Sequence, residues 1–280
     1  MRKPKSFGML TSVDRLRTDG PSGDALNINE LRSGVKAWIA ACVSVAFLHA
    51  GLAHAGDARP FCASATDTLA KDAATRDAVS MIFGRNPAYV PEQGPARACI
   101  FPVATLMYPD ARVLIMGSVP GEVYPVTEAR LSAYFLRSEN GAFRLVTVRR
   151  DFADGGSGMG NVGKITAIRY GADEGMTIAG DGNGQGYDYG SVALFVFRSD
   201  GIASLGTIPT SYSDGGAVDD PAKETQIEGK VEIGQPQPDQ VRVVYSVRRS
   251  GKVAQQAVVW KLRNGRFVAA SGSVPAELRR

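Results

Sequence analysis

Asp181-Gly182-Asn183-Gly184-Gln185-Gly186-Tyr187-Asp188 sets oxygen-bearing side chains at alternate positions among glycines. Calcium loops use that spacing, so Asp181, Asn183, Gln185 and Asp188 are candidate oxygen ligands. Glutamine is a weak member of such a set, and Val192 stands where a bidentate acid would complete it. A glycine-rich hairpin loop accounts for the same residues. Tyr187 and Tyr189 lie on either side of Asp188. On a glycine-rich rim such rings stack on sugars or anchor a protein partner, and they equally pack back onto a sheet.

Asp154-Gly155-Gly156 and Asp214-Gly215-Gly216 each close a strand-like run. If the two runs are copies of one unit, Asp154 and Asp214 hold equivalent places and could share one edge of a sandwich or ring. They are the first candidates for a polar site, although aspartates also make turns on their own account. Paired carboxylates can hydrolyse glycosides without histidine. The adjacent acids Asp173-Glu174 and Asp219-Asp220 do not make such a pair, because neighbours in a strand point to opposite faces.

Two other motifs fail on context. Ser157 is flanked by glycines, but Met159 breaks the G-x-S-x-G elbow of a nucleophilic serine. Gly158 to Gly163 matches G-x-G-x-x-G, yet a dinucleotide site needs a helix after it, and residues 164–170 read as a strand.

The remaining chemistry depends on an export signal. Ala37–Leu48 carries no charge, follows Arg32 and Lys36, and leads to Ala53-His54-Ala55, a small-x-small cleavage pattern. An uncleaved anchor is the alternative, and Ala37–Ala55 is barely long enough for a hydrocarbon core of about 30 Å. Ile39-Ala40-Ala41-Cys42 resembles a lipoprotein box but stands too close to Lys36. Met1–Val35 is polar, and reads as a long n-region or as a start placed too far upstream.

Cleavage after Ala55 removes both histidines, His49 and His54, and one of three cysteines, Cys42. The exported chain, residues 56–280, then has no imidazole for a Ser-His or Cys-His pair or for a metal. The first 55 residues hold seven of the 32 Lys and Arg and four of the 28 Asp and Glu, which leaves 25 basic and 24 acidic side chains. That near-neutral balance gives no electrostatic footprint for nucleic acid or a membrane surface. Cys62 and Cys99 remain and are expected to pair in an oxidising compartment.

The elements that must position these residues read as mainly β. A helix is expected over 65–83, with Ser64 or Thr66 as cap, an apolar stripe of Leu69, Ala73, Val79, Ile82 and Phe83, and a stop at Gly84 and Pro87. Twelve runs rich in Val, Ile, Tyr, Phe and Thr follow, from Ala98–Tyr108 to Arg266–Ala270. Asn140-Gly141, Asp200-Gly201, Ser250-Gly251 and Asn264-Gly265 mark tight turns between them. The expected architecture is a single exported domain of antiparallel hairpins, as a sandwich, barrel or propeller-like ring, with one N-terminal helix. Residues 131–156 and 191–216 align without gaps at a shift of 60, with eight identities in 26 positions, which implies a repeated hairpin.

The expectation is a non-catalytic periplasmic or secreted domain. It would bind an envelope protein or glycan through Asp154, Asp181, Tyr187, Asp188, Tyr189 and Asp214. A carboxylate hydrolase acting on glycans and a calcium-stabilised structural module are the alternatives. No other cofactor, no nucleic acid and no membrane span after cleavage are expected.

Overall fold

The computed structural model describes residues 59–85, 87–90, 98–198, 201–234 and 237–279. The export segment, with Cys42, His49 and His54, lies outside the described residues, as does Asp200. Residues 65–83 form two helices, Ala65–Lys71 (α1) and Ala73–Phe83 (α2), where the apolar pattern predicts one. Asp72 causes the break. Its backbone is extended (φ −115°, ψ 102°), and its carboxylate accepts from the Thr75 N–H (3.1 Å) and the Thr75 hydroxyl (2.7 Å). An aspartate stabilises a new helix start better than it does a helix interior. Ala73, expected within the buried stripe, is exposed, and Gly84 ends α2 at φ 87°.

Short strands Phe61–Cys62 (β1) and Tyr89–Val90 (β2) flank the helices. Twelve longer strands follow: Cys99–Met107 (β3), Ala111–Val119 (β4), Arg130–Glu139 (β5), Ala142–Asp154 (β6), Ile165–Tyr170 (β7), Asp173–Gly184 (β8), Tyr187–Arg198 (β9), Gly201–Ser213 (β10), Thr225–Ile233 (β11), Gln240–Arg249 (β12), Lys252–Arg263 (β13) and Arg266–Ser271 (β14). A six-stranded sheet runs β2-β1-β3-β4-β5-β6 and an eight-stranded sheet β14-β13-β12-β11-β10-β9-β8-β7. From β3 onward every pairing is antiparallel and links strands consecutive in the chain, so the protein is a meander of hairpins. β1 is the exception, pairing in parallel with β2 and β3.

Strand periodicity divides the core into three. On β4 and β5, Leu114, Met116, Tyr134 and Leu136 face Leu69, Ala78, Val79 and Ile82 of the helices. The alternate residues Val113, Ile115, Leu131 and Ala133 face Met176, Ile178 and Phe195 of the second sheet. Burial on both faces explains the unbroken apolar run Val113-Leu114-Ile115-Met116. β9 repeats the device: Phe195 looks toward the first sheet, while Leu194 and Val196 join Leu205, Ile208, Ile227, Val243 and Tyr245 in the second sheet's own core. Cys62 and Cys99 are bonded, with Cα atoms 5.1 Å apart, and tie β1 beside the helices to the first long strand.

The two aligned segments are both hairpins, β5–β6 and β9–β10, but they lie in different sheets and differ in register. Asn140 and Gly141 form the first turn with φ 53° and 81° between the paired residues Glu139 and Ala142. In the second hairpin Gly201 already pairs with Arg198, so the glycines that align in sequence are not equivalent in space. Residues 181–188 form the expected hairpin with a shorter loop: β8 and β9 stay paired to the end and reverse at Gln185-Gly186, with φ 54° and 82°. Positive φ at both central residues matches the twist of the flanking strands.

Candidate functional site

Cross-strand register sorts the hairpin residues by face. Asn183 lies opposite Asp188, and Asp181 two residues back lies opposite Gly190. Residues opposite each other share a face, as do alternate residues in a strand, so Asp181, Asn183 and Asp188 belong to one face. Tyr187 and Tyr189 belong to the other, opposite Gly184 and Gly182. Tyr212 of β10 pairs with Tyr189 and adds a third ring. Centroids are 6.2 Å apart for Tyr187–Tyr189, 6.2 Å for Tyr187–Tyr212 and 5.7 Å for Tyr189–Tyr212. All three tyrosines are half-buried. Loss of water around Tyr212 raises its phenol pKa, and the nearby Asp214 charge adds to the shift.

Both Asp-Gly-Gly loops dock on this hairpin. The Asp181 N–H donates to Gly156 O (2.8 Å), and the Ser157 hydroxyl donates to Asp181 Oδ1. The Gly216 N–H donates to Gly186 O at the hairpin tip (3.1 Å). These approaches leave no room for side chains: a Cβ on Gly156 would lie 3.1 Å from Gly180 Cα, and one on Gly216 would lie 2.8 Å from Gly186 Cα. The sequence repeat therefore supplies two clamps for one arm, at Gly180-Asp181 and at Gly186.

The aspartates that begin the two clamps are used differently. Asp154 pairs with Arg130 across the strand end (2.8 Å). Asp214 accepts from the Thr225 N–H with its carboxylate (2.7 Å) and from the Ala217 N–H with its carbonyl (2.9 Å), which fixes the turn between β10 and β11. As for the calcium spacing, Asp181 and Asn183 stand on a paired strand, Gln185 occupies the turn, and Asp188 lies across from Asn183. Among the described residues no three His, Cys, Asp or Glu side chains are grouped to hold a metal ion.

A cleft of about 480 Å³ opens beside the tyrosine cluster. Gly180 and Gly182 of β8, Tyr189 and Ser191 of β9, and Thr207 and Pro209 of β10 line it. Glu128, whose carboxylate accepts from the Gly156 N–H (3.1 Å), stands at its rim. Glu277 and Leu278 come from a single turn of 3-10 helix at Ala276–Leu278. Leu278 is buried in the core of the second sheet, and Arg249 at the end of β12 grips both oxygens of Glu277 (2.8 Å each). Those hydrogen bonds hold the Glu277 carboxyl below the usual glutamate range. Glu128, Arg249 and Glu277 escape a reading of the sequence because nothing local marks them. The alternation Gly182-x-Gly184 before Tyr187-x-Tyr189 was the available sign that rings and glycines would face each other.

A second cleft, about 830 Å³, lies between β3, residues 121–124 and the Gly158–Gly163 segment. Its walls include Phe101, Val103, Val119, Met159 and Val162, with Cys62 at one side. The glycine motif there leads into β7, so no helix N-terminus is presented to a phosphate. Among the described residues no helix is long and apolar enough to cross a membrane. Comparison with protein-family models and with curated proteins finds no match.

Proposed function

We propose that the chain from Gly56 onward acts outside the cytoplasm as a non-catalytic binding domain for an envelope protein or a glycan, with the β8–β9 hairpin as its contact surface. The observation that carries this reading is the cluster of Tyr187, Tyr189 and Tyr212 beside a cleft of about 480 Å³. Aromatic side chains with a polar tip suit a surface that is dry when bound and wet when free. The clamps from Gly156 and Gly216 hold the hairpin in place before any partner arrives, which lowers the entropy cost of binding. The Cys62–Cys99 bond suits an oxidising compartment, in keeping with the apolar segment Ala37–Leu48 as an export signal. A carboxylate hydrolase has weaker support, because Asp154 and Asp214 are engaged in structural bonds.

Capture of partners from an envelope extract tests the reading. The wild-type domain should retain a partner that the Tyr187→Ala, Tyr189→Ala double variant loses while keeping its melting temperature. Equal capture by both proteins would overturn the assignment of the hairpin.

A further inference from the structure

Building on that reading of the hairpin, we infer that the cleft beside it takes a short saccharide free of acidic groups, laid over Gly182 with Tyr189 against a ring face. Volume comes first: about 480 Å³ falls inside the range of about 300–1,000 Å³ typical of small-ligand sites. Shape follows from the glycines. Opposite Tyr189 the strand carries Gly182, and the space over Gly182 is open, so this part of the wall is bare backbone. A flat ring can lie on it, and the tyrosine supplies the apolar contact for its C–H face.

Polarity narrows the class. Ser191 and Thr207 bring hydroxyls that both donate and accept, which matches a ligand whose own hydroxyls do the same. Glu128 and Glu277 bring carboxylates, and among the described residues no Lys or Arg lines the cleft. Arg249 offsets Glu277 through its two hydrogen bonds, so the exclusion of acids falls to Glu128. An anionic sugar would meet like charge at that rim, and like-charge contact is what suppresses wrong partners. A neutral or amine-bearing sugar finds acceptors there.

Calorimetry on the chain from Gly56 onward tests this with three probes: the N-acetylglucosamine tetramer, the glucosamine tetramer and tetragalacturonate. The first two should bind and the third should not. Tyr189→Ala should weaken the first two by about tenfold, the size of one lost aromatic contact. The Glu128→Gln variant keeps a hydrogen-bond acceptor and removes the charge. It should admit tetragalacturonate, a change that a purely structural role for this acid would not produce. Binding of none of the three probes, or tetragalacturonate binding as tightly as the others to the wild type, overturns the inference. If no probe binds but the hairpin tyrosines still govern capture from envelope extract, the saccharide assignment alone is lost. If capture is also indifferent to them, the reading beneath it falls too.

Discussion

Asp72 links two helices and a sheet through one carboxylate. It accepts from the Thr75 N–H and hydroxyl, and the Thr75 oxygen in turn accepts from the Thr105 hydroxyl on β3 (3.0 Å). The hydrogen bonds from Thr75, with Arg76 nearby, hold the Asp72 carboxyl below its ordinary value of 3.8. A carboxyl lowered on folding contributes stability above its unfolded pKa, and that stability is lost as pH falls through the folded value. Asp72→Ala should therefore cost about 1 kcal/mol at neutral pH, in the range of a lost helix cap. The cost should shrink once the pH drops below the ordinary aspartate range, as urea unfolding at several pH values would show. At the same scale, Asp154 and Asp214 show where a sequence reading stops. Both were visible as Asp-Gly-Gly, but Arg130 decides the use of one and the Thr225 backbone decides the other. Those partners lie 24 and 11 residues away, and no local spacing announces them.

Among the elements, the β8–β9 hairpin depends most on its neighbours. Gly182, Gly184 and Gly190 give it little side-chain surface of its own, and glycine in a strand is unfavourable. The loops at Gly156 and Gly216 supply the missing support by docking directly on its backbone. Gly216→Ala would force a methyl to within 2.8 Å of Gly186 Cα, so either the tip or the loop must move. The expected cost is about 1–3 kcal/mol, as for overpacking elsewhere. Amide exchange should report a hairpin tip that opens faster, while β12 and β13 remain protected. The turn dipeptides made three of the hairpins legible beforehand, since Asn140-Gly141, Ser250-Gly251 and Asn264-Gly265 form tight turns where they were expected. The length of β8 and β9 was not legible, because a glycine-rich stretch becomes a strand only when something else holds it.

For the whole molecule, the decisive arrangement is a sheet buried on both sides. β4 and β5 meet the helices on one face and the eight-stranded sheet on the other, which makes the helices a cover and not a separate unit. The disulfide holds that cover. Its closed loop spans 37 residues, and a bond of that span contributes about 2–4 kcal/mol. Reduction, or Cys62→Ser with Cys99→Ser, should lower stability by that amount in urea unfolding. The loss should be concentrated on α1, α2 and β3, and the second sheet's own core should be affected least. Unfolding that lowers the protection of β11–β13 to the same extent would contradict this division of the core.

What the sequence determined by itself is what depends on neighbours along the chain. Alternation of apolar residues set the strands, glycine-containing dipeptides set turns, and Cys62 and Cys99, the two cysteines of residues 56–280, set the disulfide in a stretch that holds no histidine. What the tertiary structure decided is which distant residues meet. The break at Asp72 depends on Thr75 and Thr105 as much as on aspartate's own preference. The cleft unites β8, β9 and β10 with Glu128 before them and the terminal turn after them. Pairing in a meander fixes contacts between adjacent strands, but packing between sheets and the docking of loops are non-local. They depend on side-chain volume and on backbone groups that carry no sequence signature. The tyrosine-and-glycine hairpin was readable as composition, and a cleft formed beside it only when two loops and the turn at Ala276–Leu278 were folded against it.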